Sequence, residues 1–336
     1  MRFHWIAAML AGAVLLIGCR ELFVTSPESD RNVADFEAAW RHIAEVYPYL
    51  DFKAIDWDSI HAVYRPRAEA ARGDEFYDVL GDLLAELKDG HVFYRTEGGG
   101  EVYPFYPERH WRDRHAYSPF VVRTYFDREL RLSASGSVEY EILPGNIGYA
   151  FFADFHENYL ELEFPGVLQH LRNTRGLILD IRQKRGGDYR NVVAVVERFM
   201  SEPMERNAAY IDGEPWDLPP FQPRGPFTYT NPVVVLINGS TFSAGEFTTE
   251  ILKQLPQVTA VGDTTGGGST GGGDASLFFL PSGKSINIDY IDIRRYDGLP
   301  WEWLGIPPDV RVVQTAGDIA AGRDRQLEYA IALLSR

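Results

Sequence analysis

An aliphatic strand followed by a helix across a short polar turn constrains this chain more than any other feature. Pro232–Gly239 contains an unbroken aliphatic run, and Ala244–Leu255 has the apolar spacing of a helix that buries one face. The joining segment Thr241–Glu246 places Ser243 at the first helical turn. Backbone N–H groups are unpaired there and lie at the positive end of the helix dipole. Ser243 is therefore a candidate nucleophile beside an oxyanion site, although a helix N-cap is the simpler role for such a serine.

A second strand and helix are separated by paired glycines. Arg175–Arg182 has the pattern of a buried strand, a helix is expected over Tyr189–Met200, and Gly186 and Gly187 lie in the turn between them. Glycines in such a turn allow a sharp bend and bring backbone N–H groups close to a bound atom. The sequence thus offers a second set of backbone donors.

Two further segments carry side chains suited to acid–base chemistry. An amphipathic helix ends at Asp89-Gly90 and leaves His91 on the first residue of an extended stretch. A proline-bracketed aromatic loop, Asp297–Asp309, carries Glu302. A serine hydroxyl needs a neighbour that accepts its proton during attack, and an imidazole can do so near neutral pH. A turn residue is the simpler role for His91, and a loop-stabilising acceptor is the simpler role for Glu302.

Together with a further motif at Val261–Thr265, these segments resemble peptidase family S41, the family of the C-terminal processing and tricorn proteases. The motifs occur in the family's order within residues 141–313, and they are Asp180–Gly187, Thr241–Glu246, Val261–Thr265 and Gly305–Asp309. The resemblance implies the α/β fold of that family, a ClpP/crotonase-like superhelical core, with a small N-terminal helical domain. It also implies serine-type peptidase activity. The alternation of strands and helices alone predicts only an α/β core.

The resemblance also bears on the catalytic base. In the processing branch a lysine follows the nucleophile in a Thr-Phe-Gly-Lys turn, whereas the matching turn here, Thr265–Gly268, has no lysine. In the tricorn-like branch a histidine from the helical region is the base, and a glutamate near the C-terminal end orients it. His91 and Glu302 match those positions. A serine precedes that histidine in tricorn-type enzymes but Gly90 stands here, so Asp89 is the alternative orienting acid.

The expected catalytic set is a nucleophile, a base and an orienting acid, namely Ser243, His91 and Glu302. The expected oxyanion donors are the backbone N–H groups of Ala244 and of Gly186 or Gly187. Asp180 and Arg182 are expected to support the glycine turn. The alternatives to His91 as the base are His110, His115 and, if a lysine serves instead, Lys284.

Charge and residue spacing argue against several other classes of protein. The chain has 33 basic and 48 acidic residues and a net charge of −15, which is the wrong sign for binding nucleic acid. No group of histidine, cysteine and acidic residues in the sequence has the spacing of a metal site. Ser282–Ser285 is similar to the end of a phosphate-binding loop, but Phe278 occupies the position of the required first glycine. We expect no metal, nucleotide or other cofactor.

The first residues have the features of a bacterial lipoprotein signal. A basic residue precedes an apolar run, and Leu16–Cys19 resembles a lipobox that ends at the only cysteine of the sequence. We expect residues 1–18 to be removed, Cys19 to carry a lipid and residues 19–30 to form a tether. By resemblance to other lipoproteins, Arg20 after the cysteine implies export to the outer membrane. An uncleaved anchor helix is the alternative, and it would leave the protein on the same side of the membrane.

The rest of the chain divides by its sequence pattern. We expect a helical domain over residues 31–96, an irregular aromatic connector over 97–137 and the peptidase-like core over 138–336. The connector is too short for a PDZ module, so none is expected. The glycine-rich stretch 266–273 is expected to be mobile.

The resemblance and the sequence features predict a serine-type endopeptidase of the bacterial cell envelope. Such an enzyme would hydrolyse peptide or protein substrates through an acyl-enzyme. The alternative is a non-catalytic protein that binds apolar ligands or peptides on the same fold, because the aromatic connector could line a binding pocket.

Overall fold

The computed structural model describes residues 27–152, 155, 158–183 and 186–336. The expected signal segment 1–18 and the expected lipid site Cys19 lie outside these residues, as does most of the expected tether 19–30. Among the described residues, no helix is both long enough and apolar enough to cross a membrane.

The first described segment is helical, as the sequence predicts. Its helices α1, α2 and α3 span Glu28–Val46, Trp57–Ala70 and Glu75–Ala85. Asp56 caps α2, because its side chain accepts a hydrogen bond from Ser59 N at 3.0 Å. The three helices share a buried apolar cluster that includes Phe36, Leu80 and Leu84. This shared cluster holds the helices together.

A mixed sheet forms the centre of the molecule. In the described part of the chain it has seven strands, in the spatial order β15 (Val310–Arg311), β10 (Val258–Gly262), β9 (Val233–Ile237), β6 (Gly176–Asp180), β5 (Ile147–Phe152), β4 (Val138–Leu143) and β3 (Arg131–Leu132). The five strands from β15 to β5 run parallel to one another, whereas β4 is antiparallel to β5 and β3 is antiparallel to β4. The central strands β6 and β9 are fully buried, as expected for aliphatic runs in a parallel sheet.

Helices cover both faces of this sheet. On one face lie α6, α7 and α8, which span Leu160–Leu171, Tyr189–Val196 and Ala244–Leu252. On the other lies α10 (Arg325–Leu334), which is preceded in the chain by the short α9 (Ala316–Ala320). Val233 and Val235 of β9 belong to the first core and Val234 to the second, because successive side chains on a strand alternate. The expected α/β core is confirmed.

The connector over residues 97–137 is more regular than its composition predicts. It contains the helices α4 (Glu108–His115) and α5 (Pro119–Arg123), the short strand β2 (Glu101–Val102) and the strand β3. Ser118 caps α5 by accepting a hydrogen bond from Val121 N, and Pro119 occupies the first helical position. The expectation of an irregular segment was wrong here, because these capping signals outweigh the mixed composition.

Two small antiparallel sheets flank the central sheet within the described structure. One has the order β12, β13, β1 and β2, in which the new strands span Leu277–Phe279, Ser285–Asn287 and Phe93–Arg95. The other has the order β11, β14, β7 and β8, which span Thr270–Gly271, Ile291–Ile293, Ala209–Ile211 and Glu214–Pro215. Strand β13 pairs with β12, whereas the next strand, β14, pairs with β7. Residues 285–294 therefore supply strands to both sheets.

The N-terminal helices are attached to the core through one of these small sheets. Leu280, Ile286 and Ile288 belong to the same buried cluster as α1, α2 and α3. Strand β1, which follows His91 closely, pairs with β13 so that Phe93 lies opposite Asn287. The helical region thus shares its core with later parts of the chain, and the domain boundaries at residues 96 and 137 stay a prediction.

Candidate active site

Ser243 lies beyond the carboxyl ends of two neighbouring parallel strands. Strand β9 ends at Ile237 and leads to α8, of which Ser243 is the N-cap residue, while β6 ends at Asp180 and leads to the glycine turn. Ser243 has φ 51° and ψ −118°, and a non-glycine residue in such a region is strained by about 1–3 kcal/mol. Sharp strand-to-helix turns of this kind present a serine hydroxyl at the top of a sheet. Ser243 is accordingly only partly buried.

The completely buried side chain of Glu246 fixes this strained turn. One carboxylate oxygen accepts hydrogen bonds from Ser243 N at 3.0 Å and Gly268 N at 2.8 Å. The other oxygen accepts from Gly267 N at 2.7 Å and Thr265 Oγ1 at 2.5 Å. Burial raises the pKa of Glu246 to about 7, although these hydrogen bonds oppose the rise. Glu246 therefore ties the backbone of Ser243 to the segment 265–268.

The glycine-rich stretch 266–273 is held by further contacts. Gly266 O accepts a hydrogen bond from Arg109 Nε at 3.1 Å, and Gly268 O accepts one from Trp301 Nε1 at 2.8 Å. Residues 270–271 form β11, which pairs with β14. Surrounding side chains and a neighbouring strand thus satisfy several backbone groups of the stretch, and its mobility stays a prediction.

The glycine turn approaches Ser243 closely. A Cβ added at Gly186, which has φ 133°, would lie 3.3 Å from Ser243 Oγ. A Cβ added at Gly187, which has φ 138°, would lie 2.4 Å from the carbonyl atoms of Phe155, so only glycine fits there. Gly187 also forms a parallel β-bridge with Phe155. The turn therefore brings backbone next to the serine side chain, as does Ala244, the first residue of α8.

His91 lines the same cavity as Ser243. Its ring packs against Phe242, the residue before Ser243, with ring centroids 4.6 Å apart. The backbone N–H of His91 donates to Asp89 Oδ1 at 2.8 Å, and Nδ1 of the His91 ring lies 3.8 Å from the same oxygen. Asn287 Nδ2 donates to the His91 carbonyl at 3.3 Å. These contacts fix the turn that carries the imidazole.

Gly268 leaves space for the His91 ring. A Cβ added at Gly268 would lie 2.2 Å from Phe242 Cζ and 2.7 Å from His91 Cε1. Both distances are far shorter than van der Waals contact, so no larger residue fits while the two rings keep their places. The family resemblance matches Gly268 to the lysine of the processing branch. In this packing, His91 and a lysine at position 268 therefore exclude each other.

Glu302 is completely buried and lies in a hydrogen-bonded group with Lys53. Its oxygens accept from Lys53 Nζ at 2.7 Å and from Ser269 N at 3.0 Å. Burial, followed by the negative charge of Asp89, raises the pKa of Glu302 to about 8, and Lys53 opposes the rise. A direct contact of Glu302 with His91 stays a prediction. The alternative acid, Asp89, has its Oδ1 3.8 Å from His91 Nδ1.

A cavity of about 1240 Å³ opens in front of Ser243 and His91. Much of its wall is apolar, and the wall includes Tyr189, Phe247, Ile291 and, from the aromatic connector, Tyr103. A buried acid, Asp289, also reaches the cavity. Burial raises the pKa of Asp289 above its ordinary value, and the nearby His91 opposes the rise. The site thus combines a serine, a histidine and acidic groups with space for an extended ligand.

The alternative histidines lie in the connector helix α4. His110 is buried, and its carbonyl accepts a hydrogen bond from Ser240 Oγ at 2.9 Å. The Nδ1 atom of His115 lies 2.7 Å from the carbonyl oxygen of Trp111 in the same helix. Of the histidines in the described residues, His91 is the one that lines the cavity with Ser243.

Asp180 and Arg182 form a buried ion pair behind the glycine turn. Arg182 Nη2 lies 2.7 Å from Asp180 Oδ2, and Nη1 lies 2.8 Å from Asp324 Oδ1. Asp324 is the N-cap residue of α10, so the arginine joins the end of β6 to the start of that helix. Direct support of the glycine turn by Asp180 and Arg182 stays a prediction.

Sequence reasoning missed two kinds of residue at this site. Glu246 has a local signal, because Ser243-x-x-Glu246 is the pattern of a helix capping box. Lys53 has no such signal, since its partner Glu302 is 249 residues away in the chain. Tyr47, which donates to Asp89 across 42 residues, is equally invisible to local patterns.

Two protein-family models match the chain. The model of peptidase family S41 matches residues 146–312, and the model of the tricorn protease C1 domain matches residues 32–85. The first range contains the glycine turn, Ser243 and Glu302. The second range ends shortly before His91.

Two curated proteins are similar to this chain over part of their length. Tricorn protease homolog 1 from Streptomyces coelicolor is 27% identical in an alignment of 386 positions. The alignment covers 89% of this chain and 34% of that protein. The carboxyl-terminal-processing protease from Synechocystis is 28% identical over 198 residues, which cover 57% of this chain and 45% of that protein. The chain therefore matches less than half of the length of either relative.

Solved structures share the fold. A crystal structure of a protein from Parabacteroides merdae is 27% identical and has a TM-score of 0.78, over 90% of this chain and 96% of that chain. The tricorn protease has a TM-score of 0.58 at 16% identity, over 91% of this chain and 37% of that chain. These likenesses confirm the expected fold class. The two family models show that the chain belongs to peptidase family S41.

Proposed function

We propose that this protein is a serine peptidase that hydrolyses peptide bonds through an acyl-enzyme. Ser243 is the nucleophile and His91 is the general base. The proposal rests on one observation above all, which is that both side chains line a single cavity beside the glycine turn in a member of a peptidase family. The strained backbone of Ser243 supports it, because strain of this kind concentrates at functional sites.

In the proposed reaction, Ser243 Oγ attacks the scissile carbonyl carbon and His91 accepts the hydroxyl proton. The resulting oxyanion accepts hydrogen bonds from Ala244 N–H and from Gly186 or Gly187 N–H. The carbon–nitrogen bond then breaks, and His91 returns the proton to the leaving amine. Water attacks the acyl ester with His91 again as the base, which releases the carboxylic acid and restores the serine.

An orienting carboxylate completes the proposed arrangement by fixing the His91 tautomer and stabilising the imidazolium. Glu302 is the acid that the family resemblance implies. Asp89 Oδ1 lies 3.8 Å from His91 Nδ1, which is longer than a hydrogen bond but within ion-pair distance. We propose that Asp89 acts on the ring and that Glu302 acts through the group around Lys53.

The substitution Ser243→Ala tests the proposal. Because a triad nucleophile carries most of the rate enhancement, we expect peptide hydrolysis to fall by at least about 1,000-fold. The melting temperature should stay close to that of the wild type, because a partly exposed hydroxyl contributes little to stability. Turnover of a peptide library by purified wild-type and variant protein measures the effect. Equal turnover by the two proteins would rule Ser243 out as the nucleophile.

Binding without hydrolysis is the second candidate function. The size of the cavity and its apolar wall favour an apolar ligand or the side chains of a peptide. A wild-type protein that binds peptides by calorimetry but shows no Ser243-dependent turnover would establish this alternative. Detectable acyl-enzyme formation would exclude it.

We also propose that the peptidase acts in the cell envelope, held by a lipid on Cys19. The proposal rests on the sequence of residues 1–19 alone, since these residues lie outside the described structure. Cys19→Ser should move the protein out of the membrane fraction or stall its maturation. Normal maturation together with unchanged outer-membrane fractionation would contradict the anchor.

A further inference from the structure

Lys53 is a buried cation that takes no part in the proposed bond-forming and proton-transfer steps. Its side chain is only 4% exposed, and Nζ donates to Glu302 Oε1 at 2.7 Å, Tyr47 OH at 2.7 Å and Leu87 O at 2.8 Å. Burying an ammonium group is costly unless it is paired and hydrogen-bonded. The folded protein therefore holds the partners of Lys53 at fixed positions around it.

Two of these contacts lead to the turn that carries His91. Leu87 lies just before that turn, and Tyr47 OH donates to Asp89 Oδ2 at 2.8 Å. The other oxygen of Asp89 accepts from His91 N at 2.8 Å. Lys53 thus binds the backbone carbonyl of Leu87 just before the turn. Through the hydroxyl of Tyr47 it is also connected to the side chain of Asp89.

The third contact leads to the segment that carries Ser243. Glu302 accepts from Ser269 N at 3.0 Å, and the preceding amide, Gly268 N, donates to Glu246 at 2.8 Å. Glu246 in turn accepts from Ser243 N at 3.0 Å. Consecutive backbone amides therefore bind two buried glutamates, one of which contacts Lys53 and the other the nucleophile.

We propose that Lys53 is a positioning residue, which holds the turn of His91 in register with the segment of Ser243. It joins the helical region, through the loop after α1, to the C-terminal loop around Glu302. Lys53 lies outside the set of described residues that line the cavity, so it acts through His91 and not on the substrate. This inference rests on the proposed function of Ser243 and His91.

The substitution Lys53→Met tests the inference by removing the cation while keeping an unbranched side chain. We expect kcat to fall by about 10- to 100-fold, because a small displacement of a catalytic group has effects of that size. KM should stay within about twofold, because no contact with bound substrate is lost. Tyr47→Phe removes one hydroxyl and keeps the aromatic ring, so it tests the same path with a smaller change. It should also lower kcat and leave KM unchanged.

Lys253→Met is the matched control. Lys253 also pairs with a carboxylate, Asp309 Oδ1 at 3.0 Å, and donates to a backbone carbonyl, Pro307 O at 2.6 Å, but it lies at the end of α8 away from His91. Its loss should cost stability without a comparable loss of kcat. A parallel fall of kcat in both variants would reduce the role of Lys53 to general stability.

A double-mutant cycle with His91→Ala separates positioning from folding. An activated ester substrate makes the residual rate of the His91→Ala protein measurable. If Lys53 acts through His91, then Lys53→Met should have little further effect in that background, since groups that act as a unit are non-additive. If Lys53→Met lowers kcat by the same factor in both backgrounds, the inference is overturned and the peptidase proposal stays intact. Wild-type protein without Ser243-dependent turnover would overturn both.

Discussion

At the scale of single residues, the space around the His91 ring is the main determinant of the site. Phe242 lies against the ring, and glycines occupy the positions from which a side chain would reach either group. A Cβ at Gly90 would lie 2.8 Å from Phe242 Cζ, and a Cβ at Gly268 would contact both rings. The His91 ring and its glycine surroundings therefore form one packing unit.

The substitution Gly268→Ala tests this unit. The added Cβ would overlap with Phe242 and His91, so one of the rings must move. We expect kcat/KM to fall by about 10- to 100-fold, because the base leaves its position relative to Ser243.

Gly166→Ala is the control for that experiment. Gly166 lies in α6, where a new Cβ meets open space, and alanine favours a helix more than glycine does. Activity should be unchanged in this control. Full activity of Gly268→Ala as well would show that His91 is not held in the packing described.

The residues of the site differ in how far the sequence reveals them. Ser243, His91 and the paired glycines stand in local patterns with a chemical meaning, so they can be selected in advance. Lys53 and Tyr47 act through contacts that span most of the chain, and no local pattern encodes such contacts. The choice between Glu302 and Asp89 as the orienting acid depends on the same long-range geometry, so sequence reasoning leaves both open.

At the scale of elements, the segment 265–269 joins the two halves of the site. Glu246 of α8 accepts hydrogen bonds from the backbone N–H groups of Gly267 and Gly268. Glu302 accepts one from the N–H of Ser269. A glycine-rich composition predicts mobility, but carboxylates on both sides fix these amides. The same segment contains Gly268, so the geometry of α8 is transmitted directly to the space beside His91.

The substitution Glu246→Gln tests the role of this segment. An amide in place of the carboxylate directs an NH₂ group at backbone N–H donors, which leaves buried donors without an acceptor. We expect the free energy of unfolding to fall by about 1–3 kcal/mol per donor left unsatisfied. Peptidase activity should fall as well, because Ser243 loses its backbone anchor. Chemical denaturation and kcat/KM measure the two effects.

Glu163→Gln is a suitable control. Glu163 of α6 also accepts hydrogen bonds through both oxygens, from Ser135 N and Oγ, but it lies near the surface. Water can replace these bonds, so this variant should lose little stability and no activity. Equal behaviour of the two variants would contradict a special role for Glu246.

At the scale of the whole molecule, the site forms only when distant parts of the chain pack together. The helical region supplies His91, the central sheet supplies Ser243, and the hairpin of β12 and β13 shares a core with the helices. The strands of the central sheet are predictable because aliphatic runs and glycine turns are local signals. The division of residues 285–294 between two sheets is not, because it depends on pairing with β7, which lies far away in sequence.

This assembly buries two glutamates whose pKa values are raised, to about 7 for Glu246 and about 8 for Glu302. An unfolded chain releases these protons near pH 4.5. Between that value and the raised pKa values, the folded state binds more protons than the unfolded state, so stability falls as pH rises.

We therefore expect the melting temperature of the wild type to decline more steeply between pH 5 and pH 8.5 than that of Glu302→Gln. Scanning calorimetry across this range checks the difference. Glu69→Gln changes an exposed glutamate and should keep the wild-type slope. Identical slopes for wild type and Glu302→Gln would show that Glu302 does not hold its proton in the folded protein.

Covalent labelling with a fluorophosphonate tests the central claim most directly, because the reagent phosphonylates a serine hydroxyl that a neighbouring base activates. We predict that mass spectrometry finds the adduct on the peptide containing Ser243 in the wild type. The adduct should disappear in Ser243→Ala and form far more slowly in His91→Ala. A wild-type protein that is not labelled at Ser243, or that is labelled equally fast after His91→Ala, would contradict the account.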